Sequence, residues 1–271
     1  MTARGSLSPG LCSVTFRQLD VGAIVGLAAA ARLAGIEWGG DVHVPPGDLT
    51  AARAARRRCA DAGLAVASYG SYLFADGASA GLLDPVLATA AELGSDLVRV
   101  WCPFGVEPGA PPSERSAVAE VLAGWVEEAA SLGISLYLEF HGGTLTATAP
   151  SARALLEEVG DERLRCGWQP RYWDVPDADQ LDAADELALL EPWLAHVHVY
   201  EWEDSATRLP LSAGQAHWPK ILEQASGVDP GPTRRFALLE FVAGDDPTAL
   251  VADAATLTRW LAGRPSGEVA S

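Results

Sequence analysis

Four side chains in this chain have the types and spacing to share one ion. Glu139 follows Leu136-Tyr137-Leu138, Gln169 follows Gly167-Trp168, His198 lies in His196-Val197-His198-Val199, and Glu240 follows Leu238-Leu239. Each falls at a matching depth near the end of a short apolar run. Two carboxylates, an imidazole and an amide oxygen form a hard, oxygen-rich set that suits Mn²⁺ or Mg²⁺, with Zn²⁺ as the remaining candidate. Any one of them alone reads more readily as a satisfied polar group in a layered interior; four at one level in successive runs favour a metal.

The elements that must position them are centred on Ile134-Ser135-Leu136-Tyr137-Leu138-Glu139-Phe140-His141-Gly142-Gly143-Thr144. Leu136, Leu138 and Phe140 fall on one side at period two, so Tyr137, Glu139 and His141 share the other. Gly142-Gly143 then lets the backbone turn sharply. A carboxylate between Leu and Phe is costly to bury unpaired, so it calls for a cation, a metal or a hydrogen-bond network.

Along the chain, apolar runs alternate with Ala/Leu/Glu-rich amphipathic segments in the rhythm of repeated βα units. The strands expected are Cys12–Arg17, Gly35–Trp38, Ala65–Tyr69, Leu97–Trp101, Ser135–Phe140, Leu164–Gln169, Ala195–Tyr200 and Phe236–Phe241. The helices behind them are Asp20–Leu33, Leu49–Ala62, Leu82–Leu93, Ser113–Ser131, Ser151–Val159, Asp179–Leu189, Gln215–Gln224 and Pro247–Ala262, with Asp84-Pro85 and Asp246-Pro247 as the clearest starts. No low-complexity linker divides residues 1–271, and the tail 264–271 reads as frayed. The fold class is therefore α/β, a single (β/α)8 TIM barrel.

Such barrels carry their sites at the carboxyl ends of the strands. The polar and aromatic residues collected there are Arg17, Glu37, Asp41, His43, Arg99, Trp101, His141, Tyr172 and Tyr200. Arg17 and Arg99 suit an anionic or polyhydroxyl substrate, or neutralise buried carboxylates. Trp38, Trp101, Trp168, Trp173 and Trp202 also fall at or after strand ends, where flat walls suit sugar faces, although core filling explains most tryptophans.

Composition narrows the partners. The net charge of −17, with Lys220 the one lysine, argues against nucleic acid, whose binding depends on basic residues neutralising phosphates. Cys12, Cys59, Cys102 and Cys166 form no CxxC pair, which fits a reducing cytosol. The N-terminus has no basic region followed by an apolar run, and Ile24 to Ala34 is too short to span a bilayer, so a cytoplasmic chain without membrane partners is expected. Gly77-Ala78-Ser79-Ala80-Gly81 matches a nucleophile-elbow pattern, but no strand runs into it, and Lys220 follows Trp218-Pro219 at a helix start rather than on a strand.

With these residues in view, the chain resembles the xylose isomerase-like TIM-barrel superfamily, in its sugar phosphate isomerase/epimerase branch, over nearly its whole length. The carrying segments are Gly35–Pro45, Ser68–Tyr72, Val98–Trp101, Leu138–Thr146, Trp168–Pro170, His196–Val199 and Glu240. The resemblance implies one divalent metal on Glu139, Gln169, His198 and Glu240, with Glu139 and Glu240 doubling as catalytic acid and base. Arg17, Glu37, His43, Tyr69, Arg99, Trp101, His141, Tyr172 and Tyr200 would face a carbohydrate-like substrate, and a homodimer is compatible. It implies an isomerase or epimerase of a ketose or related hydroxy-carbonyl compound, working by proton transfer through an enediolate. The alternatives are a lyase or dehydratase on an oxidised sugar, or a non-catalytic sugar-binding barrel. The sequence departs from the family pattern in two places: the strand-six ligand is commonly Asp where Gln169 stands, and the common Lys-Asp after strand seven is Tyr200-Glu201. A trinuclear zinc endonuclease is excluded, because five histidines so arranged are too few.

Overall fold

Barrel strands need apolar side chains on the face that packs against the surrounding helices, and Val98, Val100, Leu136, Leu138, Val197 and Val199, alternating with Arg99, Tyr137 and His198, are all fully buried. A computed structural model describes residues 7–175, 180–204, 207–227 and 234–263. Its strands are β1 Ser8–Cys12, β2 Gly35–Gly39, β3 Ala65–Phe74, β4 Leu97–Trp101, β5 Ser135–Leu138, β6 Leu164–Trp168, β7 Leu194–Val199 and β8 Phe236–Leu239. They pair in chain order, and β8 closes on β1 through Ser8↔Phe236 to Leu11↔Leu239. The helices between them are α1 Val21–Ala30, α2 Leu49–Asp61, α3 Leu83–Leu93, α4 Pro112–Ala130, α5 Ala149–Val159, α6 Ala183–Leu190, α7 Trp218–Gly227 and α8 Leu250–Leu261. The fold is the expected (β/α)8 barrel.

Short polar side chains start several helices by satisfying first-turn N–H groups. Asp20, Asp48, Thr148 and Asp182 accept from Ala23, Ala51, Ser151 and Asp185 respectively. The expected start at Asp84 is corrected: α3 begins at Leu83 behind Leu82, and Asp84 lies in its first turn. Helix α7 begins at Trp218 rather than Gln215, because Leu211–Ala216 forms a separate 3₁₀ turn, and Pro247–Ala249 likewise precedes α8 as a 3₁₀ turn capped by Asp246. The expected helix start at residue 179 and the tail 264–271 lie outside the described residues.

Tertiary partners move three strand ends. The expected first strand, Cys12–Arg17, is corrected to Ser8–Cys12, with only Cys12 in common: the chain leaves β1 there for a 3₁₀ turn, Ser13–Phe16, where the Ser13 hydroxyl accepts from the Gly39 N–H at 2.8 Å. Arg17 therefore stands on a loop. Strand β3 runs five residues past the expected Tyr69 to Phe74, through a register shift against β4 between Gly70 and Phe74. Strand β8 stops before Glu240, and Phe241 takes a left-handed φ of 63°, with its N–H bonded to the Thr15 hydroxyl at 3.0 Å.

Candidate active site

At the centre of the barrel lies a buried ion network. Arg99 Nη1, from β4, reaches Glu37 Oε1 at 3.0 Å and Glu139 Oε2 at 3.1 Å. Gly70 makes room for it: a Cβ there would stand 2.9 Å from Arg99 Nη2 and 3.0 Å from Glu37 Oε1. Glu37 also accepts from the Ser68 hydroxyl at 2.6 Å and from the Tyr137 hydroxyl. Burial would raise its carboxyl, but Arg99, His198 and these two hydroxyls hold it down at about 2.

Above this network His198 and Glu240 lie together, with Glu139 and Gln169 beside them. His198 Nδ1 lies 2.9 Å from Glu240 Oε2 and 3.7 Å from Glu139 Oε1. Gln169 Nε2 donates to Glu139 Oε1 at 3.1 Å and to the Phe140 carbonyl at 2.6 Å. Ligand atoms at right angles about an octahedral Mg²⁺ are about 3 Å apart, a spacing that His198 Nδ1 and Glu240 Oε2 match at 2.9 Å and Glu139 Oε1 exceeds at 3.7 Å. One nitrogen facing two buried carboxylates requires a positive charge between them, whether a proton or a metal. Gln169 fits less directly, because the Phe140 carbonyl can only accept and so turns the amide nitrogen toward Glu139.

The two glutamates differ in environment. Burial raises the Glu139 carboxyl above its ordinary value against the opposing charges of Arg99 and His198. For Glu240 burial acts the same way, but the charge and hydrogen bond of His198 prevail and lower it. Cys12, which was not expected as a ligand, groups with His198 and Glu240, the three ligating atoms lying within 4.8 Å of one another. Burial pushes its thiol up to about 12.

The mouth is a cavity of about 180 Å³ lined by Arg17, Tyr72, Arg99, Trp101, Glu139, His141, Gln169, Tyr172, Glu240 and Phe241. Arg17 is pinned at its lip by Asp41 at 2.5 Å, the Tyr72 hydroxyl at 2.7 Å and the Val14 carbonyl at 3.3 Å. The Gly142 carbonyl, 2.8 Å from His141 Nδ1, can only accept, so that nitrogen carries the proton. In the neutral ring Nε2 then accepts from the Tyr172 hydroxyl at 2.7 Å. Trp101 stacks on Tyr72 at 6.1 Å, one wall of an aromatic belt.

Four residues expected to face substrate are placed elsewhere. Glu37 is buried beneath the mouth inside the Arg99 network. His43 is 5% exposed and packs against Trp38, with Nε2 3.1 Å from the Leu19 carbonyl. Tyr69 is fully buried and donates to the Val44 carbonyl at 2.8 Å, so Tyr72 supplies the mouth's phenol from β3 instead. Tyr200 donates to the Pro170 carbonyl and lines a neighbouring pocket of about 220 Å³. Sequence reasoning passed over Tyr72 and Phe241; the only signal for Tyr72 was its place in Ser71-Tyr72, beyond an apparent strand end. His196 lies one layer below, accepting from the Phe236 N–H and meeting the Ala67 carbonyl, each at 3.2 Å, and burial lowers it to about 4.

Among the described residues no helix is long and apolar enough to cross a membrane, and the four cysteines are unpaired and buried. Residues 25–232 match the family described as xylose isomerase-like TIM barrel. No curated protein matches the sequence. Among solved structures, the probable 3-DHS dehydratase AsbF from Bacillus anthracis superposes with a TM-score of 0.78 at 20% identity, over 93% of this chain and 99% of that one. A D-psicose 3-epimerase solved with D-fructose gives 0.72 at 16%, over 95% and 100%. A xylose isomerase-like TIM-barrel protein from Mycobacterium smegmatis, in complex with magnesium, gives 0.67 at 16%, over 97% and 99%. At these identities the likeness shows the fold.

Proposed function

The chain belongs to the xylose isomerase-like TIM-barrel family, and from that premise we propose that it is a divalent-metal-dependent isomerase or epimerase of a ketose or related hydroxy-carbonyl compound. The observation that carries this reading is the pair of carboxylates, Glu139 and Glu240, at 3.7 and 2.9 Å from His198 Nδ1 in the lining of one small mouth.

Glu139, His198 and Glu240 would hold the ion, Mn²⁺ or Mg²⁺ before Zn²⁺, with Gln169 beside them. Bound there, the ion would supply Lewis acidity to a substrate carbonyl and its neighbouring hydroxyl, and the hydrogen on the hydroxyl-bearing carbon would become the acidic one. One glutamate takes that proton and the other returns it. Arg99 fixes one oxygen of Glu139 and Gln169 the other, so that carboxylate is held in place before substrate arrives. The aromatic belt excludes water and presents flat surfaces to the sugar. Return of the proton to the opposite face of the same carbon gives an epimer; return to the neighbouring carbon gives an isomer.

A second reading, elimination from an oxidised sugar, is favoured by Arg17. Its guanidinium is pinned at the lip of the mouth, where a substrate carboxylate would meet it. Incubating the Mn²⁺-loaded protein with a ketose panel and a sugar-acid panel in D₂O, followed by proton NMR, tests both. Deuterium beside the carbonyl of a ketose supports the first reading, and an unsaturated acid supports the second. No change in either panel, with metal bound, would refute both.

A further inference from the structure

We propose that the substrate has two parts: one reacting sugar unit in the small mouth and a second, uncharged sugar unit in a groove beside it. This rests on the sugar-processing reading of the site and names the substrate class within it. The mouth, at about 180 Å³, is smaller than the roughly 300–1,000 Å³ typical of small-molecule sites, so it takes a single small unit. Next to it lies a groove of about 1040 Å³, and His141 lines both.

The step between the two spaces is fixed. Both nitrogens of His141 are engaged, and its ring stacks on Trp173 at 5.5 Å and 22°. The Trp173 indole N–H donates to the Ala147 carbonyl at 2.9 Å, and the ring lies over Gly142, where a Cβ would come within 2.6 Å of Trp173 Cγ. A bound molecule would therefore pass from mouth to groove along an aromatic wall held rigid from below. The groove's charges describe its occupant. Glu107 and Asp174 are exposed on its rim, while the guanidinium of Arg115 is already engaged by Glu158 at 3.0 Å and by the Ser151 carbonyl at 3.0 Å. Carboxylates accept from hydroxyls and repel anions, and an indole offers area to the C–H face of a ring. Together these favour a neutral polyhydroxyl ring over a phosphate, an acid or a lipid chain.

Calorimetry on the full, Mn²⁺-loaded chain tests this with fructose and three ketose disaccharides, turanose, maltulose and isomaltulose, which carry glucose on different hydroxyls of the ketose. At least one disaccharide should bind about tenfold more tightly than fructose. Trp173→Ala and, separately, the rim change Asp174→Ala should each cut that ratio about fivefold, and the exposed Asp174 decides the matter if Trp173→Ala fails to fold. All three disaccharides within about twofold of fructose, or a ratio untouched by either folded variant, would overturn the proposal. Exchange of fructose in D₂O alongside that result would leave the isomerase reading standing. Tight disaccharide binding without exchange would support the groove and refute the chemistry, and no binding by any of the four sugars would overturn the groove.

Discussion

Nη1 of Arg99 lies 3.1 Å from Oε2 of Glu139, a fixed guanidinium holding one oxygen of a carboxylate whose other oxygen faces the site. The same nitrogen reaches Glu37 at 3.0 Å, so one cation ties β2 and β4 to the residue that follows β5.

Arg99→Met should be strongly destabilising, because it leaves two buried carboxylates without their cation; removing one partner of a buried pair costs about 3–5 kcal/mol. Arg99→Lys retains the charge but not the planar fork, and should recover only part of the loss. Urea unfolding measures both. A loss below about 1 kcal/mol for the methionine variant would mean that the network is not a structural tie.

Glu37 gives stability a pH dependence of definite sign. Its carboxyl is held at about 2 in the folded chain against an ordinary value of 4.5, so its contribution is complete above pH 4.5 and is lost as pH falls toward 2. The shift corresponds to roughly 3 kcal/mol at 1.36 kcal/mol per unit. In chelator-treated protein, the stability gap between wild type and Glu37→Gln should be flat from pH 7 to 5 and shrink below it. A gap that stays constant down to pH 3 would contradict the assignment.

The metal set makes separable predictions. Reconstituted wild type should hold about one divalent ion per chain, and His198→Ala should empty the site. Gln169→Asp should bind the ion more tightly, because it adds a negative charge. Without metal it should be less stable than wild type, since a carboxylate would replace the amide N–H that now donates to Glu139. Elemental analysis, metal titration and melting of the chelated protein check these; equal or weaker affinity in Gln169→Asp would remove strand six from the site.

Proton transfer by the two glutamates predicts solvent deuterium beside the carbonyl of any true substrate. Glu139→Gln and Glu240→Gln each keep an oxygen but remove the base. Turnover should fall by several orders of magnitude while substrate affinity changes far less, since the base acts in the transition state. Turnover without deuterium in the product would point to a hydride shift and refute the two-base mechanism.

What the sequence by itself determined is the barrel and the level of the site. Apolar runs at period two followed by amphipathic segments have few ways to bury their faces, and eight such units close a barrel. A charged residue at the end of an apolar run, as at Glu139 and Glu240, falls at the carboxyl end of a strand wherever that strand lies, so the level of Glu139, Gln169, His198 and Glu240 in the barrel followed from local pattern. What only the tertiary structure decided is which polar side chain faces which neighbour. The register shift between Gly70 and Phe74 gives the mouth to Tyr72 and sends Tyr69 to Val44, and the positive φ of Phe241 turns that ring into the cavity wall. The same holds for Glu37, which reads as a mouth residue in sequence. It becomes the anchor of Arg99 because Ser68, Arg99 and Tyr137, from three other strands, meet its carboxylate, and pairings between residues 31 to 100 positions apart leave no trace in local periodicity.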